Sequence, residues 1–280
     1  MFTKNKTLIA VVSYNDPVSL DRIVNLIDRN FYSIIIFDNS TDLYFISKIK
    51  NHSLKSNVNV LGSGINIGIG GALNRCVDYA FAHGYDWILT FDQDSMPEST
   101  QIVALTAAAN KYPGIMSFAS CSHGDVLDCD KLVSYSITSG NLVNVKAIME
   151  VGGYDEDFFI DGIDFDISLK LRRRGYQIMK VANAKMHHII GIPSNITMKN
   201  LTLPYAKHVA ARRYYQTRNI LILSFRYFKT FPFFISKLFT IFLCSSLLAL
   251  IFDEQRLSTA KMIYFGFFDS ITNKKRNFFN

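Results

Sequence analysis

Cysteine is scarce and scattered, at Cys76, Cys121, Cys129 and Cys244 in 280 residues, with no C-x-x-C pair. That excludes a disulfide framework and a cysteine-based zinc site, and fits a reducing compartment. Glycine is missing from the first strand-to-helix turn, which reads "SYNDP" from Ser13 to Pro17. A dinucleotide-binding fingerprint belongs in that turn, so a nicotinamide oxidoreductase is disfavoured. The N-terminus also lacks a long apolar run: behind Lys4 and Lys6 it extends only from Leu8 to Val12, too short for a signal peptide. Acidic residues are in deficit, 23 against 30 Lys and Arg, for a formal charge of +7. The excess favours an anionic partner, whether nucleic acid, lipid headgroups or a phosphorylated substrate. With 49% apolar residues, the chain can bury a core as one α/β domain with an appendage, or as two small domains.

What is present is a strand-helix alternation. "TLIAVVSYN" and "YSIIIFDNST" are apolar runs bounded by turns, as expected for strands buried on both faces. Between them Leu20, Ile23, Val24 and Ile27 recur at helical spacing. "NVNVLGS" is a weaker third strand, "GGALNRCVDYAFAHGYD" a helix ending at Gly84, and Trp87–Phe91 a fourth strand. This order predicts a mostly parallel, doubly wound sheet with its ligands at the strands' C-terminal ends. Asp16, Asp38 and the Asp92/Asp94 pair all fall there. In an extended strand, Asp92 and Asp94 would point to one side and repel unless a cation sat between them. Gly68, Gly70 and Gly71 open a helix, where they could admit a diphosphate or simply pack a loop against the sheet. Further on, Asp161, Asp164 and Asp166 crowd the start of "DFDISLKLRRRG", a helix that stops at Gly175. Capping and dipole effects account for one of these carboxylates but not for all three. "MHHIIG" and "ARRYYQTRN" then supply His187, His188, Arg212, Arg213 and Arg218.

The tail is different in kind. Phe231 to Phe252 is apolar apart from Lys237 and a few Ser, Thr and Cys, with Arg226, Lys229, Arg256 and Lys261 flanking it. It is long enough to span a bilayer, yet Ser236, Lys237, Thr240 and Cys244 at roughly helical spacing favour a helix lying in the interface. Packing on the domain or in a homodimer is the other reading. The basic residues cluster around these apolar aromatic segments, which suits an anionic membrane surface better than nucleic acid.

In order and spacing these motifs resemble the inverting family 2 glycosyltransferases that use nucleotide sugars, and among them the bacterial rhamnosyltransferase-like branch. "VVSYND", "FDNS" and "NIGIGGALNRC" resemble the nucleoside- and nucleotide-binding segments. "LTFDQDS" looks like the D-x-D motif, "FFIDGIDFDISLKLRRRGY" like the acceptor-side motif, and "HHIIG" and "RRYYQTRN" like the segments that follow. The resemblance implies a GT-A fold, Rossmann-like with a mostly parallel sheet, over residues 1–224, and a C-terminal apolar helical, membrane-associating appendage over 225–280. The nucleotide-sugar half would cover about 1–98 and the acceptor half about 99–224. It implies a nucleotide-sugar donor, dTDP-rhamnose favoured, contacted by Ser13, Tyr14, Asp38, Asn66, Gly68, Asn74 and Asp92. Mg2+ or Mn2+ would be held by Asp94 with His188 as a candidate further ligand, and Arg218 would steady the diphosphate. Asp164 would be the general base, with Asp161 and Asp166 on the acceptor side. Where the family has Glu-Asp this chain has Ile163-Asp164, so a role of that glutamate falls to Asp161 or is absent. The implied acceptor is a lipid-linked saccharide at the cytoplasmic face of the bacterial inner membrane. The alternatives are a family 2 transferase using a UDP-hexose or UDP-galactofuranose, and a non-catalytic nucleotide-sugar or lipid-binding protein, the latter disfavoured because every acidic motif is retained.

Overall fold

The computed structural model describes residues 6–28, 32–62, 64–122, 127–187, 192–198, 201–207 and 209–279. Its chain divides into two compact units, one of residues up to Phe159 with Ile163–His188, the other of Ile160–Gly162 with Ile189–Phe279.

The first unit is built on strands β1 (Thr7–Ser13), β2 (Ser33–Asp38), β3 (Val58–Gly62), β4 (Trp87–Asp92), β5 (Met96–Pro97), β6 (Ser117–Ser122), β7 (Lys131–Val133), β8 (Asn141–Asn144) and β9 (Ile178–His187). They form one sheet in the order β3-β2-β1-β4-β8-β6-β9-β5, with β7 beside β9. The half expected to be parallel is so, from β3 through β4. Beyond β4 the sheet turns mixed, because β8 runs antiparallel to both β4 and β6. Helices α1 (Pro17–Asp28), α2 (Leu43–Lys50), α3 (Gly68–Ala82), α4 (Gln101–Lys111), α5 (Val145–Glu150) and α6 (Ile163–Arg173) accompany it. The runs that read as doubly buried are so: Leu8, Ile9, Ala10 and Val11 of β1 and Ile34, Ile35 and Ile36 of β2 have no exposed surface. Ile23, Val24 and Ile27 of α1 join Ile9, Val11, Ile34 and Ile36 in one core.

The second unit comprises a hairpin of β10 (Ile192–Met198) and β11 (Leu201–Lys207) followed by α7 (Ala210–Tyr227), α8 (Pro232–Phe252) and α9 (Arg256–Thr272). Helix α9 lies close against α7. The buried Tyr214 hydroxyl donates to Asp269 at 3.0 Å, and Arg276 donates to the same carboxylate at 2.7 Å. Burial pushes the Tyr214 phenol up to about 12. Gly266 permits the approach, since a Cβ there would lie 2.6 Å from the Tyr214 carbonyl oxygen. Gly266→Ala should therefore destabilise the protein by about 1–3 kcal/mol through overpacking. Gly114→Ala is the control, because a Cβ at Gly114 meets nothing within 4 Å. Urea denaturation of the two variants checks this, and equal midpoints would show that α9 can back away from α7 at no cost.

Candidate active site

Parallel pairing places the candidate donor-side residues together. Ser13 pairs with Asp38 across β1 and β2, Asp38 with Gly62 across β2 and β3, and Val12 with Asp92 across β1 and β4. Ser13, Asp38 and Asp92 thus share the C-terminal edge of three adjacent strands. Asp38 is buried and its carboxylate accepts the Ser40 N–H at 2.9 Å. Ser40 in turn accepts the Asn15 N–H at 2.8 Å, which holds Asn15 in the left-handed region at φ +48°. Just beyond, burial works to raise the Asp16 carboxyl, but the Ser19 hydroxyl and N–H, the Val18 N–H and the Arg22 charge together hold it below its usual range.

The pair that opened the question of a cation is arranged differently from an extended strand. Asp92 is the last residue of β4, and the chain then turns, with the Ser95 N–H on the Asp92 carbonyl at 3.1 Å. The turn leaves Asp92 half-buried and Asp94 exposed, with Gln93 between them. Gln93 has a structural task that its motif gave no hint of. Its amide accepts from the Tyr14 N–H at 2.8 Å and donates to the Tyr14 carbonyl at 3.1 Å, joining the β1 and β4 loops as a strand would.

Asn39 ties in the glycine-rich segment. It accepts the Ile67 N–H and donates to the Gly68 carbonyl, both at 3.1 Å. Asn66 accepts the Gly68 N–H at 3.0 Å, and the Phe159 carbonyl accepts the Ile69 N–H at 2.7 Å. The first N–H groups of α3 are therefore taken by protein rather than turned to a phosphate. Gly68 sits at φ +78°, and a Cβ there would meet the Phe159 carbonyl oxygen at 2.7 Å; one at Gly70 would meet that of Asp155 at 2.6 Å. These close approaches under the loop require glycine at both positions. Asn74 is similarly spent: its amide bonds the Tyr154 N–H and carbonyl and the Glu156 carboxylate.

The acceptor side joins this edge through residues 138–140. Asp164, in the first turn of α6, accepts the Thr138 N–H at 2.8 Å. Ser139 accepts the Asp92 N–H at 3.3 Å, and its hydroxyl also meets that of Ser95. Gly140 donates to the Thr90 carbonyl at 2.7 Å from φ +69°. Consecutive residues thus grip the end of β4 and the start of α6. Tyr154 lies in the same region, and its phenol is pushed up by burial and then by the Asp164 charge.

Three of the candidate site residues are held by protein partners. Asp166, expected at the acceptor, has no exposed surface; Lys170 Nζ lies 2.8 Å from its carboxylate and also donates to the Gly153 carbonyl. Arg218, expected at the diphosphate, is buried in the second unit, where Nε donates to the Lys274 carbonyl at 3.1 Å and Nη1 to Asn219 at 3.2 Å. Asp161 is bound at both oxygens by Arg212, at 2.8 and 2.9 Å. Asp166 and Arg218 lie on the buried faces of α6 and α7, whereas Asp161 stands in the turn before α6. His188 lies outside the described residues, while His187 is half-exposed with Glu98 at 3.7 Å. Among the described residues no three His, Cys, Asp or Glu side chains cluster as a preformed metal site. The oxygen donors of Asp92 and Asp94 nonetheless suit Mg2+ or Mn2+, which bind through one or two carboxylates plus substrate phosphates.

A sheet that is parallel up to β4, with a carboxylate-bearing turn at its end and a helix-borne aspartate beside it, is the arrangement of the GT-A fold. Solved structures agree on the fold. GalNAc-T7 with UDP, GalNAc and Mn2+ superimposes at a TM-score of 0.63 and 12% identity, over 96% of this chain and 58% of that one. This chain thus spans under two thirds of that protein. The mannosyltransferase PcManGT of Pyrobaculum calidifontis, with GDP-Man and Mn2+, gives 0.60 at 10% identity over 96% and 88% of the two chains. S. aureus TarS 1–349 gives 0.58 at 13% identity over 95% and 81%. Residues 8–126 match the glycosyl transferase family 2 model, so that stretch is similar to a family 2 glycosyltransferase domain. It is also 26% identical over 240 residues to the dTDP-rhamnosyl transferase RfbF of Shigella flexneri, covering 76% of this chain and 78% of that one.

The Asp166–Lys170 pair yields a stability prediction. Lys170→Met leaves a carboxylate buried without its counter-charge and should cost about 3–5 kcal/mol. Adding Asp166→Asn removes the orphaned charge and should recover much of that loss. Denaturation midpoints of the single and double variants test it; a single variant as stable as the parent would mean that Asp166 is not held by Lys170.

Proposed function

We propose that the protein is an inverting glycosyltransferase that moves L-rhamnose from dTDP-rhamnose to a hydroxyl of a lipid-linked glycan during synthesis of a bacterial cell-surface polysaccharide. The observation that carries the reading is the joint grip of Thr138 and Ser139 on Asp164 and Asp92. It ties Asp164 and the Asp92 turn to one short segment, which supports the reading of Asp164 as the base. The similarity to a dTDP-rhamnosyl transferase supports the donor, and a UDP-hexose is the rival that a donor screen would reveal.

In this reading Ser13, Tyr14 and Asp38 receive the nucleoside, and Asp92 receives the ribose or a metal-bound water. A divalent cation held by Asp94 and the donor's diphosphate would neutralise the leaving group's charge as a Lewis acid. Asp164 takes the proton of the acceptor hydroxyl while its oxygen bonds to the anomeric carbon. The bond from that carbon to the diphosphate oxygen breaks, and its electron pair leaves with the nucleoside diphosphate. A single displacement of this kind inverts the anomeric centre.

The lipid-linked acceptor and the membrane location rest on the C-terminal helices. Helix α8 is the one described helix long and apolar enough to cross a membrane, with a mean hydropathy of 2.1 and 17% of its apolar window buried. Phe233 is 92% exposed and Leu257 89%, and Leu247, Ile251 and Ile271 are also exposed. Apolar surface of this extent marks a binding surface rather than ordinary solvent-facing helix. Exposed Lys229, Lys237, Arg256, Lys261 and Lys274 accompany it, which suits anionic headgroups at the cytoplasmic face.

Two outcomes are expected. Asp164→Asn should lower kcat by about 10²- to 10⁴-fold with donor affinity kept, whereas Asp94→Asn should weaken metal-dependent donor binding. Full activity in excess chelator would remove the metal from the mechanism. Paired Phe233→Glu and Leu257→Glu changes should abolish flotation with vesicles of anionic lipid while leaving the denaturation midpoint unchanged. Truncation is the poorer test, since α9 seals Tyr214 and Arg218 of α7. Flotation that survives both charges would place membrane contact elsewhere.

A further inference from the structure

The segment from Phe159 to Gly162, which leads directly into α6, is the most strained backbone among the described residues. Phe159 lies at φ +54° and ψ −61°, Asp161 at φ +61° and Gly162 at φ +85°. Non-glycine residues in such conformations cost of order 1–3 kcal/mol each and persist only where their surroundings over-determine them. That hold comes from α7. Asn219 Nδ2 donates to the carbonyls of both Ile160 and Asp161, at 2.9 and 2.8 Å. Arg212 closes a two-pronged pair on the Asp161 carboxylate, Nε to Oδ2 at 2.8 Å and Nη2 to Oδ1 at 2.9 Å. At the other end, the Phe159 carbonyl accepts the Ile69 N–H from the start of α3. Asn219 is fully buried and Arg212 only partly exposed, so neither bond is a loose surface contact.

We infer that Arg212 and Asn219 are positioning residues for the transfer reaction: they lock the strained turn at 160–162 and thereby fix Asp164, two residues beyond Gly162, in the geometry from which it takes the acceptor proton. The inference rests on the reading of Asp164 as the base. It also gives Asp161 a role other than base or substrate contact, because both of its oxygens already accept from a guanidinium. A turn that is unfavourable when free will relax when its clamp is removed, and the first residues to move with it are those that begin α6. Misplacement by about 1 Å at a reacting group can cost on the order of 10²-fold in rate. The nucleotide-binding strand ends lie outside this segment, so donor binding should be spared.

The test compares Arg212→Gln, Asn219→Asp, Asp161→Asn and the Arg212→Gln/Asp161→Asn double variant, measuring kcat, donor KM and melting temperature. Each single change should lower kcat by roughly 10²-fold with donor KM nearly unchanged. The double variant should be no worse than its worse parent, because the two side chains act as one unit. Arg212→Lys keeps the charge but loses the two-pronged geometry and should fall between; it carries the test if Arg212→Gln does not fold. Wild-type kcat in Arg212→Lys and Asn219→Asp would overturn the inference. So would an active Asp161→Asn beside an inactive Arg212→Gln, which would mean that Arg212 acts on substrate directly. Asp164→Asn run in parallel separates the two levels. If Asp164→Asn is fully active the base reading fails, whereas an inactive Asp164→Asn beside full-rate clamp variants sinks only the positioning role.

Discussion

The constraint on which the rest depends is the short polar segment Thr138–Gly140. It runs beside the end of β4, donates from Gly140 to Thr90, accepts the Asp92 N–H at Ser139, and offers the Thr138 N–H to Asp164. Such a segment can sit inside the protein only if its polar groups are satisfied. Around it Ser117 donates to Asn141, Asn141 to Ser136, Gln101 to Ser120, and Ser120 to the Gly140 carbonyl. The network is densely paired, although Gln101 Oε1 is buried without a hydrogen-bond partner among the described residues, and the stiffness it gives is what a two-carboxylate site needs, because catalysis depends on where the charges are held. Gly140 is the steric keystone: a Cβ there would crowd Gln101, Met186 and Ser120 at 2.9 to 3.0 Å.

The same network explains which parts of the fold were legible. Strands β1, β2 and β4 stood out because burial on both faces demands unbroken apolar runs, and their ends were read to within a residue or two. Helix α1 followed from its apolar spacing, and α3 and α6 also from the glycines, Gly84 and Gly175, that stop them. Strands β6 and β8 did not stand out, since "SFASCS" and "SGNLVN" carry Ser and Asn at buried positions. Their polarity is compensated by partners far away in sequence, which no local pattern reveals. The mixed half of the sheet was invisible for that reason, as were the roles of Thr138 and Ser139.

Site residues divide along a similar line. Motif position was enough to bring Ser13, Asp38 and Asp92 to one sheet edge, because parallel pairing fixes which strand ends are neighbours. It could not separate carboxylates that face the site from carboxylates that hold the scaffold. Asp161, Asp164 and Asp166 look equivalent in sequence, yet one is clamped by Arg212, one bonds a loop N–H, and one is buried against Lys170. Gln93 and Asn39 went unremarked because a side-chain amide that bonds backbone at both ends leaves no mark beyond its own letter.

The central claim is that one carboxylate, Asp164, drives a single displacement at the anomeric carbon with no covalent sugar-enzyme intermediate. The most direct measurement is the anomeric configuration of the first-formed product, read by proton NMR from dTDP-rhamnose and a model acceptor alcohol. The account predicts a glycoside whose anomeric configuration is opposite to that of the donor. A product that retains the donor's configuration would require two successive displacements or a same-face route, and would contradict it.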